Sequence, residues 1–366
     1  MGMDILAQLG LTVPVFQAPM AGVATPHLAA EVSNVGGLGA LGLGAAKPEQ
    51  ARSLIADVRA RTDRPFNVNF FVHQAPKRDP EREARWLEWL APIFAEYGER
   101  APEKLSSPYT SLQDDPEMMA LLLEVKPPVV SFHFGLPPAS CVTALKQTGA
   151  VLLATVTSPA EALAAEAAGM DGVIAQGVEA GGHRGLFDPD APDDTLGTLP
   201  LVRLLSRQCH GPVIAAGGIM DGAGLAAALD LGAVAAQMGT AFLLCPETAL
   251  EEGYRKTLIG QAAFHTRLVS LISGRPARGL PNRFTALADS PDKPPCPDYP
   301  VAYDAGKALA RAARAQGDAG FGAYWAGQGA PLVRALPAGR LMREILAEYQ
   351  DILKQRVRDV QRPPHV

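Results

Sequence analysis

An eight-stranded parallel α/β barrel of the TIM type, with a second, mostly helical region, is the fold this sequence predicts. Eight short apolar or β-branched runs alternate with Ala/Leu/Glu-rich helical stretches, the pattern of parallel βα units. Glycines gather at the carboxyl ends of those runs, at Gly22, Gly44, Gly135, Gly177, Gly217, Gly218 and Gly239. The chain has 366 residues, more than the roughly 250 that one barrel needs.

The strand-like runs, in order, are Val15–Met20, Leu38–Gly44, Phe66–Val72, Val129–Gly135, Val151–Val156, Gly172–Gly177, Pro212–Gly218 and Ala233–Gly239. Helices are expected at His27–Asn34 and Pro48–Arg61 between the first three. Two segments break the rhythm. Residues 74–128 are too long for one βα connection and hold a charged helix, Asp79–Tyr97, then a Ser/Pro-rich loop at Ser106-Ser107-Pro108-Tyr109. The expected division is a barrel over residues 1–244, carrying that insert, and a mostly helical capping region over residues 245–366. The latter contains a Pro-rich linker (Asp289–Pro300), a helix from Val301 and a final amphipathic helix. In that helix Leu341, Ile345, Tyr349, Ile352 and Leu353 form one face, expected to dock on the barrel, with Glu344, Glu348 and Lys354 turned away.

Hydrophobic residues make up 48% and charged residues 19%, with a formal charge of −5. This suits a globular protein and leaves no basic footprint for nucleic acid. No apolar run is long enough to span a membrane. The start, Met1-Gly2-Met3-Asp4-Ile5-Leu6, has no basic n-region, and Gly2 lacks the Ser or Thr at position 6 that myristoylation needs, so a cytoplasmic protein is expected; a monomer or homodimer is the expected assembly. Cys141, Cys209, Cys245 and Cys296 are scattered and read as reduced buried thiols.

Gly37-Leu38-Gly39-Ala40-Leu41-Gly42 fits G-x-G-x-x-G, but a helix precedes the glycines and a strand follows. A dinucleotide fingerprint needs the reverse order. These glycines read as a helix cap running into a small-residue strand.

The most informative stretch is Gln176-Gly177-Val178-Glu179-Ala180-Gly181-Gly182-His183-Arg184-Gly185. A buried-looking strand runs into a glycine-rich loop and presents His183 where barrels build active sites. The seventh and eighth strands end in Gly217-Gly218 and Gln237-Met238-Gly239-Thr240, the loops that commonly bind phosphate in barrels. Their N–H groups, with a nearby helix N-terminus, suit an anion; the alternative is glycines needed only for turns. Asn69 and Gln176 are amides in apolar strands. They can meet the polar edge of an isoalloxazine ring, or merely satisfy neighbouring backbone groups.

The ordered set of motifs resembles the nitronate monooxygenase family, FMN-dependent TIM barrels, and its class I branch in particular. It comprises Ala18-Pro19-Met20-Ala21-Gly22-Val23, Ser33-Asn34-Val35-Gly36-Gly37-Leu38-Gly39, Phe66-Asn67-Val68-Asn69-Phe70-Phe71, Ser131-Phe132-His133-Phe134-Gly135, the His183 loop, and Tyr299-Pro300-Val301-Ala302-Tyr303-Asp304-Ala305-Gly306-Lys307. The resemblance implies FMN held through Met20, Gly22, Asn69, Gln176, Gly181, Gly182, Gly217, Gly218, Gln237, Met238, Gly239 and Thr240. It implies oxidation of alkyl nitronates by dioxygen to a carbonyl product and nitrite, with His183 beside the flavin and propionate 3-nitronate favoured.

His183 can donate to a nitronate, more strongly if protonated, or act as base toward a neutral nitroalkane. His133 should point to the barrel mouth. Tyr303 and Lys307 share a helix face at i,i+4, and Lys307 can pair with a substrate carboxylate. Tyr109 can supply a hydroxyl. His27, His73, His210, His265 and His365 form no cluster, and no metal set is evident. The competing readings are an FMN-dependent NAD(P)H:quinone or enoyl-thioester reductase and a flavin-free phosphate-binding aldolase or isomerase. The absence of lysine on the fifth and sixth strands argues against the last.

Overall fold

The computed structural model describes residues 4–361; Met1-Gly2-Met3 and His365 lie outside the described residues. The barrel strands are β1 (Val15–Gln17), β2 (Gly39–Gly42), β3 (Phe66–Phe71), β4 (Val129–His133), β5 (Val151–Val156), β6 (Gly172–Gln176), β8 (Val213–Ala216) and β9 (Ala235–Met238), with a short outlying β7 (Gly182–His183). They form one parallel sheet in the order β1-β9-β8-β6-β5-β4-β3-β2. The edges meet where the Leu38 N–H donates to Val15 O at 3.1 Å and the Gln17 N–H donates to Leu38 O at 2.9 Å. That contact turns the sheet into a TIM barrel.

Side chains alternate across each strand. Phe66, Val68 and Phe70 pack outward among the helices, so Asn67, Asn69 and Phe71 face the interior. Phe16, Leu38, Val129, Val151, Leu153, Ile174, Ile214 and Ala235 fill the lower interior together with Ile5 and Leu11, which seal the amino-terminal end. The same alternation puts Asn69, His133, Thr155, Gln176 and Gln237 at the open carboxyl end. Several strands stop short of their expected ends: β1 at Gln17, β8 at Ala216 and β9 at Met238. Met20, Gly217, Gly218 and Gly239 leave the ladder to wall the cavity described below.

Gly39, in the decoy motif, has a structural reason. A Cβ there would lie 1.9 Å from Ala29 O, so the helix Pro26–Asn34 can approach β2 only if this residue is glycine.

The insert divides between two cores: Leu112, Met118, Leu121 and Leu122 join the barrel core, while its long helix does not. Trp86, Leu90 and Phe94 of helix Pro80–Glu96 form a second core with Phe284, Val301, Ala305, Leu309 and Phe321. Polar contacts reinforce it. Asp304 Oδ2 accepts from the Ser106 N–H at 2.7 Å and hydroxyl at 2.8 Å, and Asp298 accepts from the Lys77 N–H and Arg82 Nη2, both at 2.9 Å. The Pro-rich segment is therefore pinned at its end rather than a free linker.

The carboxyl-terminal region is also less helical than expected. β10 (Arg267–Val269) and β11 (Ala277–Gly279) form a three-stranded antiparallel sheet with β7. Strands this short show no alternation in the sequence. The final helix, Ala338–Gln361, buries Leu341, Met342 and Ile345 against helices Pro26–Asn34 and Gly222–Asp230. Two expectations fail there. Leu353 is 39% exposed, because the helix outruns the barrel surface. Glu348 turns inward, its Oε2 accepting from the Gly222 N–H at 2.8 Å. The cysteines are free thiols, but only Cys245 is fully buried. Among the described residues no helix is long and apolar enough to cross a membrane, and no His/Cys/Asp/Glu group is arranged to hold a metal.

Candidate active site

A cavity of about 440 Å³ opens at the carboxyl mouth of the barrel, within the usual range for small-molecule sites. Met20 and Gly22 reach it from beyond β1, Asn69 from β3, His133 from β4 and Gln176 from β6. Gly181, Gly182 and His183 come from the loop after β6; Gly217 and Gly218 follow β8, and Gln237, Met238, Gly239 and Thr240 end β9. Tyr109 arrives from the insert, and Tyr303 and Lys307 from helix Val301–Ala315. The fold thus gathers all the expected site residues around one space. Met238 contributes only main chain, since its side chain is buried in the outer core.

The His183 loop is held at several points. Gln176 Nε2 donates to His183 O at 2.9 Å, and Gln176 Oε1 accepts from the Gly185 N–H at 2.8 Å. His133 Nε2 donates to the same carbonyl at 3.2 Å. The buried Arg184 donates to Gln176 O at 2.8 Å and grips Asp193 with two bonds of 2.7 and 2.9 Å. The Gln176 amide therefore serves its own loop at both ends while still lining the cavity. Asn69 Nδ2 donates to Ser131 Oγ at 2.9 Å and Ser131 O at 3.2 Å, which leaves Asn69 Oδ1 to the cavity.

His183 sits in an aromatic cage: Trp325 at 5.2 Å, Phe134 and Tyr299 at 5.6 Å and Tyr303 at 6.1 Å between ring centroids. Its Nε2 lies 2.9 Å from Ser273 Oγ, which is 3.1 Å from Arg275 O. A serine hydroxyl carries one proton. Given to Arg275 O, it leaves His183 Nε2–H as the donor and Nδ1 bare; given to Nε2, it places the imidazole proton on Nδ1. Nδ1 itself has no protein partner among the described residues. Burial, then the neighbouring His133 and the buried Arg275, push the His183 pKa down to about 3. Of the two states the sequence allowed, this environment favours the neutral imidazole over the protonated donor. Burial likewise lowers His133 to about 4.

Gly217 has φ +122° and Gly218 φ +71°, and a Cβ at Gly217 would lie 2.8 Å from Thr198 Oγ1. A side chain there is excluded by both conformation and space. The amides of Gly218, Gly239 and Thr240 make no hydrogen bond within the described residues. Of the nearby helix N-termini, that of Gly222–Asp230 is largely capped by side chains, whereas Thr240 opens a short 3-10 helix, Thr240–Phe242. In helix Gly222–Asp230, Asp221 accepts from the Gly224 N–H and Glu348 from the Gly222 N–H, both at 2.8 Å. An anion here would rest on the Gly218 and Gly239 amides and on Thr240 at the start of its 3-10 turn.

Lys307 stands at the rim, exposed, with its ammonium 4.3 Å from the Tyr109 ring centroid and 5.4 Å from that of Tyr303. Partial desolvation lowers its pKa. Tyr299, Trp325, Ser273 and Arg275 went unassigned from the sequence. Tyr299 carried a signal, lying four residues before Tyr303 in one motif, but Ser273 and Arg275 sit in a turn without periodicity.

The nitronate monooxygenase family model matches residues 4–348. The chain belongs to the nitronate monooxygenase family. It is an oxidoreductase, as that membership and its relatives indicate. The chain is 56% identical over 351 residues to the nitronate monooxygenase of Paraburkholderia phytofirmans, covering 96% of each chain. It is 53% identical over 342 residues to that of Pseudomonas aeruginosa, covering 93% of this chain and 97% of the relative. Among solved structures, the nitroalkane oxidase of Streptomyces ansochromogenes is similar with a TM-score of 0.86 and 40% identity, over 96% of this chain and 99% of that one.

Proposed function

We propose that this family member is an FMN-dependent enzyme that oxidises alkyl nitronates with dioxygen, giving a carbonyl product and nitrite, with propionate 3-nitronate as the favoured substrate. One observation carries the reading: a neutral, precisely held His183 faces the same cavity as a side-chain-free glycine cradle. The cradle fits a phosphate, because Gly217 excludes a Cβ and the amides of Gly218, Gly239 and Thr240 have no hydrogen-bond partner among the described residues. Asn69 Oδ1 suits the polar edge of the ring system. FMN is preferred to FAD because the only G-x-G-x-x-G in the chain packs a helix on a strand.

The flavin, when bound, supplies the electron acceptor for the nitronate. The chain's own residues hold and orient the substrate. With the proton on Nδ1, His183 donates to a nitronate oxygen. With Nδ1 bare, it takes a proton from the carbon beside nitrogen in a neutral nitroalkane. The Ser273 hydroxyl supports either state by reversing its own bond. Phe134, Tyr299, Tyr303 and Trp325 exclude water around the ring, and Lys307 receives a substrate carboxylate.

Denaturing release from the purified protein should yield FMN, and oxygen uptake with nitrite formation should follow addition of propionate 3-nitronate. His183→Asn should lower kcat/KM for every nitronate by roughly ten- to hundredfold, the size of a lost strong hydrogen bond. Release of FAD, or of no flavin, would overturn the cofactor assignment.

A further inference from the structure

Beside the active-site cavity lies a second concavity of about 310 Å³. The two share the walls Ala21, Gly22, Val23, Tyr303 and Lys307. Its opposite wall is one face of helix Val301–Ala315, which presents Lys307, Arg311 and Arg314 at i, i+4 and i+7. Glu251 also lines it and pairs with Arg314 at 2.8 Å. Arg311 makes no ion pair among the described residues. The concavity thus carries three cations against one carboxylate, in a chain whose formal charge is −5. A cleft lined by one sign of charge concentrates counter-ions and raises their on-rate.

We propose that this groove is a docking and approach site for small carboxylate anions, which meet Arg311 first and pass to Lys307 at the junction of the two cavities. The inference rests on the proposed nitronate oxidation and adds the route and the residue that favour doubly charged substrates. Lys307 is suited to the junction because it lines both spaces. Its ammonium lies over the Tyr109 and Tyr303 rings, held by cation–π attraction rather than by a carboxylate. A substrate carboxylate therefore displaces no stronger partner. Arg311, one helical turn further out, lies beyond the aromatic cage, so it acts on approach and not on chemistry.

The test compares wild-type holoenzyme with Arg311→Gln and Arg311→Glu, using propionate 3-nitronate and ethyl nitronate over a range of ionic strength. Arg311→Gln should lower kcat/KM for propionate 3-nitronate by about two- to fivefold, in line with a single exposed charge, and Arg311→Glu by more. The fall should shrink as salt rises. Ethyl nitronate should lose less, and kcat should be unchanged for both. Independently of turnover, calorimetric titration with malonate should show weaker binding to Arg311→Gln than to wild type. Equal losses on both substrates, or malonate binding that ignores the substitution, would overturn the groove. Wild-type enzyme inert toward every nitronate, while malonate still bound through Arg311, would refute the proposed function and leave the anion site standing.

Discussion

Replacing Ser273 with alanine isolates what holds the His183 ring. The serine is fully buried, 2.9 Å from His183 Nε2, and is the ring's only hydrogen-bond partner among the described residues. Alanine leaves a buried imidazole nitrogen and the Arg275 carbonyl without partners. A net hydrogen bond is worth about 1 kcal/mol, and a stranded buried polar group about 1–3 kcal/mol. At about 1.4 kcal/mol per factor of ten, kcat should fall roughly five- to hundredfold. The loss should lie in kcat more than KM, because a mis-set imidazole costs more in the transition state than in the bound substrate. Steady-state oxygen uptake on flavin-saturated protein gives both constants, with the flavin spectrum as a check on the fold. Ser273→Cys, which keeps a weak donor, should fall between the two. If Ser273→Ala lowers the melting temperature yet leaves kcat within twofold, Ser273 is structural only and the assignment of His183 through it is wrong.

Lys307→Met should impair propionate 3-nitronate far more than ethyl nitronate, since only the former offers a carboxylate; equal losses in kcat/KM would remove the specificity argument. Gly217→Ala should yield folded protein depleted of flavin, because the Cβ would lie 2.8 Å from Thr198 Oγ1 at φ +122°; full flavin occupancy by absorbance would contradict the cradle. His73, His133 and His183 are held at pKa values of about 4, 4 and 3 by burial. The unfolded chain binds their protons below about pH 6.5, so their stabilisation is complete above that pH and declines as pH falls, by up to about 1.4 kcal/mol per unit for each group. The melting temperature should drop between pH 6.5 and 5, before carboxylates titrate, and a flat profile there would refute the neutral state of these three histidines.

The barrel was legible because short apolar or β-branched runs and glycine-rich strand ends are local signals. The same signals located His183, Gly217, Gly218 and the Gln237–Thr240 run. What escaped depends on distant parts of the chain meeting. Ser273 and Arg275 reach His183 through an antiparallel sheet of strands two and three residues long, too short to leave a pattern. The insert's attachment to helix Val301–Ala315 rests on Trp86, Phe94 and Leu309, and nothing in their own segments names that partner. Glu348 was assigned to solvent by helical periodicity, yet the open N-terminus of Gly222–Asp230 draws it inward. The role of the Gln176 amide was left open for a related reason, since only the folded loop shows that its partners are His183 O and the Gly185 N–H.

The central claim is that this cavity joins a flavin to a nitronate. Anaerobic mixing of purified holoenzyme with propionate 3-nitronate, followed by the flavin absorbance, tests it directly, with NADH in a parallel mixing. The account predicts rapid bleaching by the nitronate, slowed in His183→Asn, and little change with NADH. Bleaching by NADH alone, with the nitronate inert, would contradict it and identify a nicotinamide-dependent reductase instead.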